Sequence, residues 1–106
     1  MQNEELTLNV LRNISELKSQ KSLASKLGLS VGKINYVLKA LSEKGFLKVE
    51  NFFANKDKNQ YKYLLTQKGI QEKISLTEKF IEIKKIEYDE LIDELEKMKI
   101  KNAGEI

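Results

Sequence analysis

The sequence predicts a mainly α-helical chain with one small β-hairpin (α+β), ending in a long helix. Three observations support this prediction. Apolar residues recur at helical spacing in four stretches of the 106 residues, the segment after Gly45 alternates in period two instead, and the chain contains no proline. Because proline interrupts helices more reliably than any other residue, the last periodic stretch is predicted to run unbroken.

Two short helices joined by a tight turn are predicted between Ser19 and Gly45. Ser19 and Ser30 are candidate N-caps, because a serine hydroxyl accepts a backbone N–H of the first helical turn. Gly28 and Gly45 supply the left-handed conformation that ends a helix without a Cβ clash. These signals place the two helix ends at about residues 27 and 44.

The second of these helices is predicted to have an apolar and a polar face. The apolar residues that would hold the two helices together are Leu23, Ala24, Leu27, Leu29, Ile34, Val37, Leu38 and Leu41. This pattern is typical of a helix-turn-helix, which offers the opposite face to the DNA major groove. The predicted DNA contacts on that face are Ser30, Gly32, Lys33, Asn35, Tyr36 and Lys39. The alternative is a helical hairpin whose polar face is only solvated.

A helix before this unit and a hairpin after it complete the predicted pattern. The first helix begins at Glu4, is capped by Asn3, and has its inner stripe at Leu6, Val10, Leu11 and Ile14. FLKVENFF, in which Leu47 and Val49 share a half-buried face, and YKYLLT are predicted strands around a polar turn. This element order is that of a winged helix-turn-helix. At the wing tip, Lys56 and Lys58 are predicted to reach phosphates or the minor groove; the alternative is a loop charged for solubility.

The long helix is predicted to run from Gln67 to about Ile100, with Thr66 as its cap and residues 101–106 frayed. Its heptad spacing predicts a dimerisation surface formed by Ile74, Ile81, Tyr88, Leu91, Leu95 and Met98. We therefore expect a winged-helix domain over residues 1–66, a dimerisation helix over residues 67–106, and a homodimer suited to a two-fold DNA site. The alternative is a helix folded back on its own domain.

Charge and composition favour a nucleic-acid partner over catalysis. Residues 17–66 hold ten lysines and three acidic residues (net +7), whereas residues 67–106 hold eight lysines and ten acidic residues (net −2). The chain has no cysteine and no histidine, so we expect no metal, no cofactor and no enzymatic activity. It shows no signal peptide and no apolar run of membrane-spanning length, so we expect a cytoplasmic protein without a membrane partner.

Several segments together resemble a known family. VGKINYVLKALSEKGFLKVENF, followed by YKYLLTQKGIQEK and a long charged helix, is similar to the small MarR-type regulators associated with exopolysaccharide gene clusters. The resemblance spans about residues 6–98 and implies a bacterial, usually dimeric, winged-helix transcriptional regulator. Larger relatives dimerise through helices at both ends. Here we expect dimerisation to depend mainly on the C-terminal helix, without the effector pocket of those relatives.

The sequence therefore predicts a sequence-specific, repressor-like regulator of transcription that binds double-stranded DNA as a homodimer, while the sign of regulation and the controlled genes stay open. One alternative is a winged-helix module for protein–protein interaction, although Lys33, Asn35 and Lys39 around Tyr36 give its exposed face a polar character. Another is a DNA-binding protein of plasmid partition or toxin-operon control. The sequence leaves open the operator, the effector and the direction of the helix pairing.

Overall fold

The computed structural model describes residues 3–14, 20–51 and 61–104. In chain order these residues form α1 (Glu4–Asn13), α2 (Gln20–Leu27), α3 (Val31–Glu43), β1 (Leu47–Asn51), β2 (Tyr61–Leu65) and α4 (Gln67–Gly104). The predicted order of helices and hairpin is confirmed. The predicted cap Ser19 and the wing residues Lys56 and Lys58 lie outside the described residues.

Polar caps begin three of the helices where the sequence predicts them. The Asn3 side chain accepts the Glu5 backbone N–H at 2.8 Å at the start of α1. The Ser30 hydroxyl accepts the Lys33 backbone N–H at 3.1 Å at the start of α3. At the start of α4, the Thr66 hydroxyl accepts the Gly69 N–H at 3.0 Å. Each cap satisfies a backbone donor that the helix itself leaves without a partner.

Glycines in the left-handed conformation end α2 and α3. Gly28 has φ 69° and Gly45 has φ 84°. In each case the residue after the glycine donates its N–H back into the last helical turn: Leu29 to the Ala24 carbonyl at 2.9 Å and Phe46 to the Leu41 carbonyl at 3.0 Å. This six-residue closure is the Schellman motif, which turns the chain sharply and fixes the angle between α2 and α3.

The core lies between the first three helices and the base of the hairpin. Its buried apolar side chains are Leu8, Val10, Leu11, Ile14, Leu23, Ala24, Ile34, Val37, Leu38, Leu41, Leu47 and Leu76. Most of these positions are predicted from helical periodicity. The exceptions are Leu8 and Leu76, which lie beside the predicted stripes of α1 and α4.

The two strands form an antiparallel hairpin with Leu47 opposite Leu65 and Asn51 opposite Tyr61. Leu47 is buried, as predicted, but Val49 is 42% exposed although it points to the same side of the strand. Of the two residues predicted to form the covered side of this half-buried strand, only Leu47 is buried. A two-stranded sheet has no second layer of its own, so its side chains are covered only where the hairpin meets the helices.

The chain divides into two compact units, residues 1–76 (unit 1) and residues 77–106 (unit 2), and α4 runs from one into the other. The 38 residues of α4 correspond to a length of about 57 Å. The helix continues to Gly104, so the predicted end near Ile100 and the predicted fraying of residues 101–104 were wrong. Lys101 and Ala103 are favourable helix residues, and residues 101–103 include no glycine or proline.

Candidate nucleic-acid interface

Helix α3 has two sharply different faces. Ile34, Val37, Leu38 and Leu41 point into the core and are fully buried, at 0% exposure. The spacing of three, one and three residues between them defines one continuous stripe along the helix. Every position that faces away from this stripe in the first three turns is exposed, so the helix is held by one face and presents the other to solvent.

The exposed face contains all six residues of α3 and its cap that were predicted to contact DNA. They are Ser30, Gly32, Lys33, Asn35, Tyr36 and Lys39. Tyr36 stands out among them, because 60% of a large aromatic side chain remains exposed. Large exposed aromatic and polar side chains on a helix that is otherwise well packed are typical of a binding surface rather than of a structural one.

Lys33 and Tyr36 act on each other across one helical turn. The Lys33 ammonium nitrogen lies 5.5 Å from the centre of the Tyr36 ring, which is the geometry of a cation–π contact. Residues three apart on a helix are neighbours on its surface, so the local structure alone allows this contact. The two side chains therefore present a positive charge and an aromatic ring as one group on the exposed face.

The start of α3 is open to close approach by another molecule. A Cβ atom added at Gly32 would meet no heavy atom within 4 Å, so packing within the chain does not require glycine at this position. The absence of a side chain leaves a gap in the surface beside Lys33. The positive end of the helix dipole also lies at this end of α3, which favours a phosphate there.

Val31 is an exposed residue that sequence reasoning missed. It is 43% exposed at the first position of α3, beside Gly32. Val31 precedes Ile34 by three residues and Leu38 by seven, so its spacing fits the buried stripe of α3. Helical periodicity therefore gives no signal of its exposure. An apolar side chain there is suited to contact a thymine methyl group.

Further lysines lie on the elements next to α3. Lys21 and Lys26 are exposed on α2, and Lys48 and Lys62 are exposed on the two strands. Lys62 is directly opposite Glu50 in the hairpin, which places opposite charges on neighbouring strands. The lysines give unit 1 the positive surface that attraction to a phosphate backbone requires.

Unit 2 offers a second candidate surface of the opposite kind. Five of the six predicted dimerisation residues lie in this unit, and between 48% and 64% of each side chain is exposed: Ile81, Tyr88, Leu91, Leu95 and Met98. The sixth, Ile74, is an exposed residue of unit 1. Large apolar side chains repeated at heptad spacing on one helix are typical of a surface that another helix covers. We call the five residues in unit 2 the α4 stripe.

Other kinds of site find no support in the part of the chain that the structure describes. Within residues 3–14, 20–51 and 61–104, no group of three or more acidic side chains is arranged to hold a metal ion. No described helix combines the length and the apolar character that crossing a membrane requires.

Comparison with known proteins agrees with the geometry of unit 1. Residues 5–48 match the family model described as "Winged helix-turn-helix DNA-binding". The match covers α1, α2, α3 and the start of β1, and thus includes both helices of the predicted motif. No curated protein sequence matches the chain.

Solved structures give the same fold over a longer part of the chain. Staphylococcus aureus MarR in complex with salicylate and kanamycin is 22% identical with a TM-score of 0.61, covering 76% of this chain and 53% of MarR. An S. aureus MepR–DNA complex is 18% identical with a TM-score of 0.61, covering 78% of this chain and 58% of MepR. A MepR mutant bound to an oligodeoxyribonucleotide is 21% identical with a TM-score of 0.62, covering 92% of this chain and 77% of that one.

The chain thus spans little more than half the length of MarR and of MepR in the DNA complex. At identities of this size the likeness establishes the fold and not the activity. The chain contains a winged helix-turn-helix domain, followed by a long helix, as the sequence predicts.

Proposed function

We propose that this protein is a transcriptional regulator that binds double-stranded DNA as a homodimer, with α3 as the recognition helix in the major groove and the wing near the minor groove. The observation that carries the proposal is the exposed face of α3. On a helix fully buried along its other side, this face combines Lys33, Asn35 and Tyr36 with an open glycine. The match of residues 5–48 to a DNA-binding winged-helix model supports the same assignment.

Different side chains have different tasks in this proposal. Lysines of unit 1, including Lys56 and Lys58, which the sequence predicts at the wing tip, neutralise phosphates and supply affinity that does not depend on sequence. Asn35 is suited to a bidentate contact with adenine, and Lys33 to a contact with guanine. Tyr36 packs on a thymine methyl group or donates to a phosphate, while Gly32 lets the helix start approach the DNA backbone.

Dimerisation through α4 gives the protein two recognition helices. In this proposal the α4 stripe and Ile74 pack against the corresponding surface of a second copy, in either direction of helix pairing. Exposed apolar groups of this size in a single chain supply the driving force, because burying each Leu or Ile side chain contributes about 1.5–3 kcal/mol. Two copies related by a two-fold axis bind two half-sites about one helical turn apart, or a multiple of that distance.

Similar structures and the resemblance of the sequence support a more specific proposal for the regulatory role. MepR is described as a transcription regulator of a multidrug efflux pump, and its DNA complex shares this fold. The sequence resembles small regulators of exopolysaccharide gene clusters, which supports a repressor of such genes. This role places the protein in the cytoplasm and requires neither a cofactor nor catalysis.

The proposal is tested by fluorescence anisotropy with the DNA upstream of the protein's own gene, an unrelated duplex, and a series of salt concentrations. We expect the upstream DNA to bind at least roughly 1,000-fold more tightly than the unrelated duplex, with affinity that falls as salt rises. The Lys33→Ala/Tyr36→Ala variant should lose that preference. Lys101→Ala, which also removes an exposed lysine but in the last turn of α4, should keep it.

Equal weak binding to both duplexes, unchanged in the double variant, would reject α3 as a recognition helix. It would favour the use of this winged helix as a protein-interaction module. If DNA binding is confirmed, transcripts of the neighbouring genes measured with and without the protein distinguish repression from activation. They also separate control of chromosomal genes from a role in plasmid partition.

A further inference from the structure

Polar contacts join the end of α3 to the start of α4. The Lys68 ammonium group donates to the Lys44 carbonyl at 3.0 Å, and the Thr66 backbone N–H donates to the Phe46 carbonyl at 3.1 Å. The Thr66 hydroxyl donates to the Gly45 carbonyl at 2.6 Å. Three consecutive carbonyls that follow α3 are thus occupied by donors from two residues at the start of α4. We call these contacts the α3–α4 clamp.

Thr66 is the central residue of the clamp. The Thr66 hydroxyl oxygen lies 2.6 Å from the Gly45 carbonyl oxygen and 3.1 Å from the Phe46 carbonyl oxygen, and the shorter contact is the stronger donor bond. The same oxygen accepts the Gly69 backbone N–H at 3.0 Å. One hydroxyl group therefore both caps α4 and holds the turn that ends α3. An ordinary N-cap needs only the second of these bonds, so the bond to Gly45 is a connection beyond what starting the helix requires.

Side-chain packing makes the same connection tight. The Lys68 ammonium nitrogen lies 5.4 Å from the centre of the Phe46 ring, so Lys68 contacts both the ring and the carbonyl of residue 44. Gly69 is buried, and a Cβ atom added there would collide with the Phe46 carbonyl oxygen. The first turn of α4 thus lies directly against the backbone that leaves α3, close enough that only glycine fits at position 69.

We propose that Thr66 and Lys68 are positioning residues that fix the angle between the recognition helix and α4, and through it the half-site spacing that the dimer accepts. This inference rests on the proposed function. A dimer joined along α4 has two recognition helices, and each is tied to its own α4 through the clamp. A rigid clamp transmits the geometry of the helix pair to α3, whereas a loose one lets each recognition helix find its half-site independently.

A positioning role and a purely structural role for Thr66 and Lys68 predict changes in different measured quantities. A structural cap affects the stability of the protein and therefore its affinity for every DNA alike. A positioning residue leaves the contacts of a single recognition helix with its half-site intact. It changes instead how strongly binding depends on the number of base pairs between two half-sites.

The experiment selects duplexes from a random-sequence library with the wild-type protein, Thr66→Val, Thr66→Ser and Lys68→Met. Thr66→Val removes the hydroxyl while keeping the shape, Thr66→Ser keeps the hydroxyl, and Lys68→Met removes the donor while keeping an apolar stem. Lys101→Met is the matched control for lost charge. Circular dichroism establishes that each variant is folded, and the Lys68 variant keeps the test valid if Thr66→Val does not fold.

For the wild-type protein, Thr66→Ser and Lys101→Met, we expect paired half-sites at one spacing, with at least a roughly tenfold loss of affinity when one base pair is inserted. For Thr66→Val and Lys68→Met we expect the same half-site sequence at several spacings, with a loss below about threefold on insertion. A single unchanged spacing in both variants would overturn the proposal, as would a changed half-site sequence. If the wild-type protein enriches no duplex, the proposed function itself fails and this inference fails with it.

Discussion

Helix α3 and the part of α4 in unit 2 both carry a stripe of apolar residues, but only the stripe of α3 is buried. In α3 the four apolar residues are fully buried and the polar face is exposed. In unit 2 the apolar residues of the α4 stripe are themselves exposed. A helix that already buries its apolar face needs no further partner for stability, so its exposed side is available for recognition. A helix with its apolar face exposed gains stability only when something covers that face.

The two surfaces suit partners of different chemistry. The exposed face of α3 is polar and basic, which suits the grooves and phosphates of DNA. The α4 stripe is apolar, and its flanking ion pairs are exposed: Lys84 with Glu87 at 3.6 Å and Lys97 with Asp93 at 2.9 Å. Exposed pairs of this kind contribute little to stability, so in the proposed dimer the driving force is assigned to the stripe rather than to the charges.

The largest expected effect is on stability, from a substitution on the buried face of α3. Leu38→Ala should lower the free energy of unfolding by about 2–5 kcal/mol, because it leaves a cavity among side chains with no exposure. Chemical denaturation followed by circular dichroism measures the loss. The loss should not depend on protein concentration, since Leu38 packs within its own chain. A loss that disappears at high concentration would contradict the assignment of this face to the core.

The next largest effect is on dimerisation, from a substitution in the α4 stripe. Leu91→Glu should raise the dimer dissociation constant at least about 100-fold, because each copy loses a leucine from the proposed interface and places a charge there instead. Sedimentation velocity over a range of concentrations measures it. Ile86→Glu is the matched control: Ile86 is 56% exposed on the same helix but lies outside the heptad positions. Equal effects of the two substitutions would show that the stripe is not the dimer surface.

A smaller effect separates recognition from stability at the start of α3. Gly32→Ala should stabilise the protein by about 0.5–1 kcal/mol, since the added methyl group meets open space and alanine favours a helix. The same methyl group should weaken binding to the upstream DNA about tenfold by blocking close approach. Thermal unfolding and anisotropy measure the two changes. Gly104→Ala, which is equally open near the end of α4, should leave DNA binding unchanged.

The smallest expected effect sharpens the role of Tyr36. If its ring acts by holding the Lys33 ammonium group, Tyr36→Phe should lose less than about threefold in affinity, because phenylalanine keeps the cation–π contact. Tyr36→Leu should lose more, because it lacks the ring. Anisotropy on the upstream DNA compares the two variants. A large loss of DNA affinity in Tyr36→Phe would instead indicate that the Tyr36 hydroxyl group makes the main contribution, by donating to a phosphate.

Local patterns explain why so much of this fold could be predicted. The period of 3.6 residues identifies both faces of α3, and the Ser30 cap and Gly45 identify its two ends, because each signal depends on residues close together in sequence. The six DNA-contact positions on α3 and its cap follow from the same pattern, and the structure places all of them on the exposed face. Their contacts with DNA stay a prediction.

Features that depend on distant residues could not be predicted in the same way. The cap at Thr66 is a local signal, but the bond from its hydroxyl to Gly45 joins residues 21 positions apart. The exposure of Val49 depends on where the hairpin leaves the helices, which strand periodicity does not contain. Burial of Leu76 likewise depends on what packs beside it in the fold and not on the residue's type.

The most direct test of the account is the mass of the protein by sedimentation equilibrium, free and bound to a duplex of its upstream DNA. The account predicts twice the chain mass of 12.3 kDa for the free protein, and two chains on each duplex. Both values should fall to one chain in Leu91→Glu, with the preference for the upstream DNA greatly weakened. A wild-type protein that has the mass of one chain, both free and on the duplex, and still binds this DNA tightly and specifically would contradict the account.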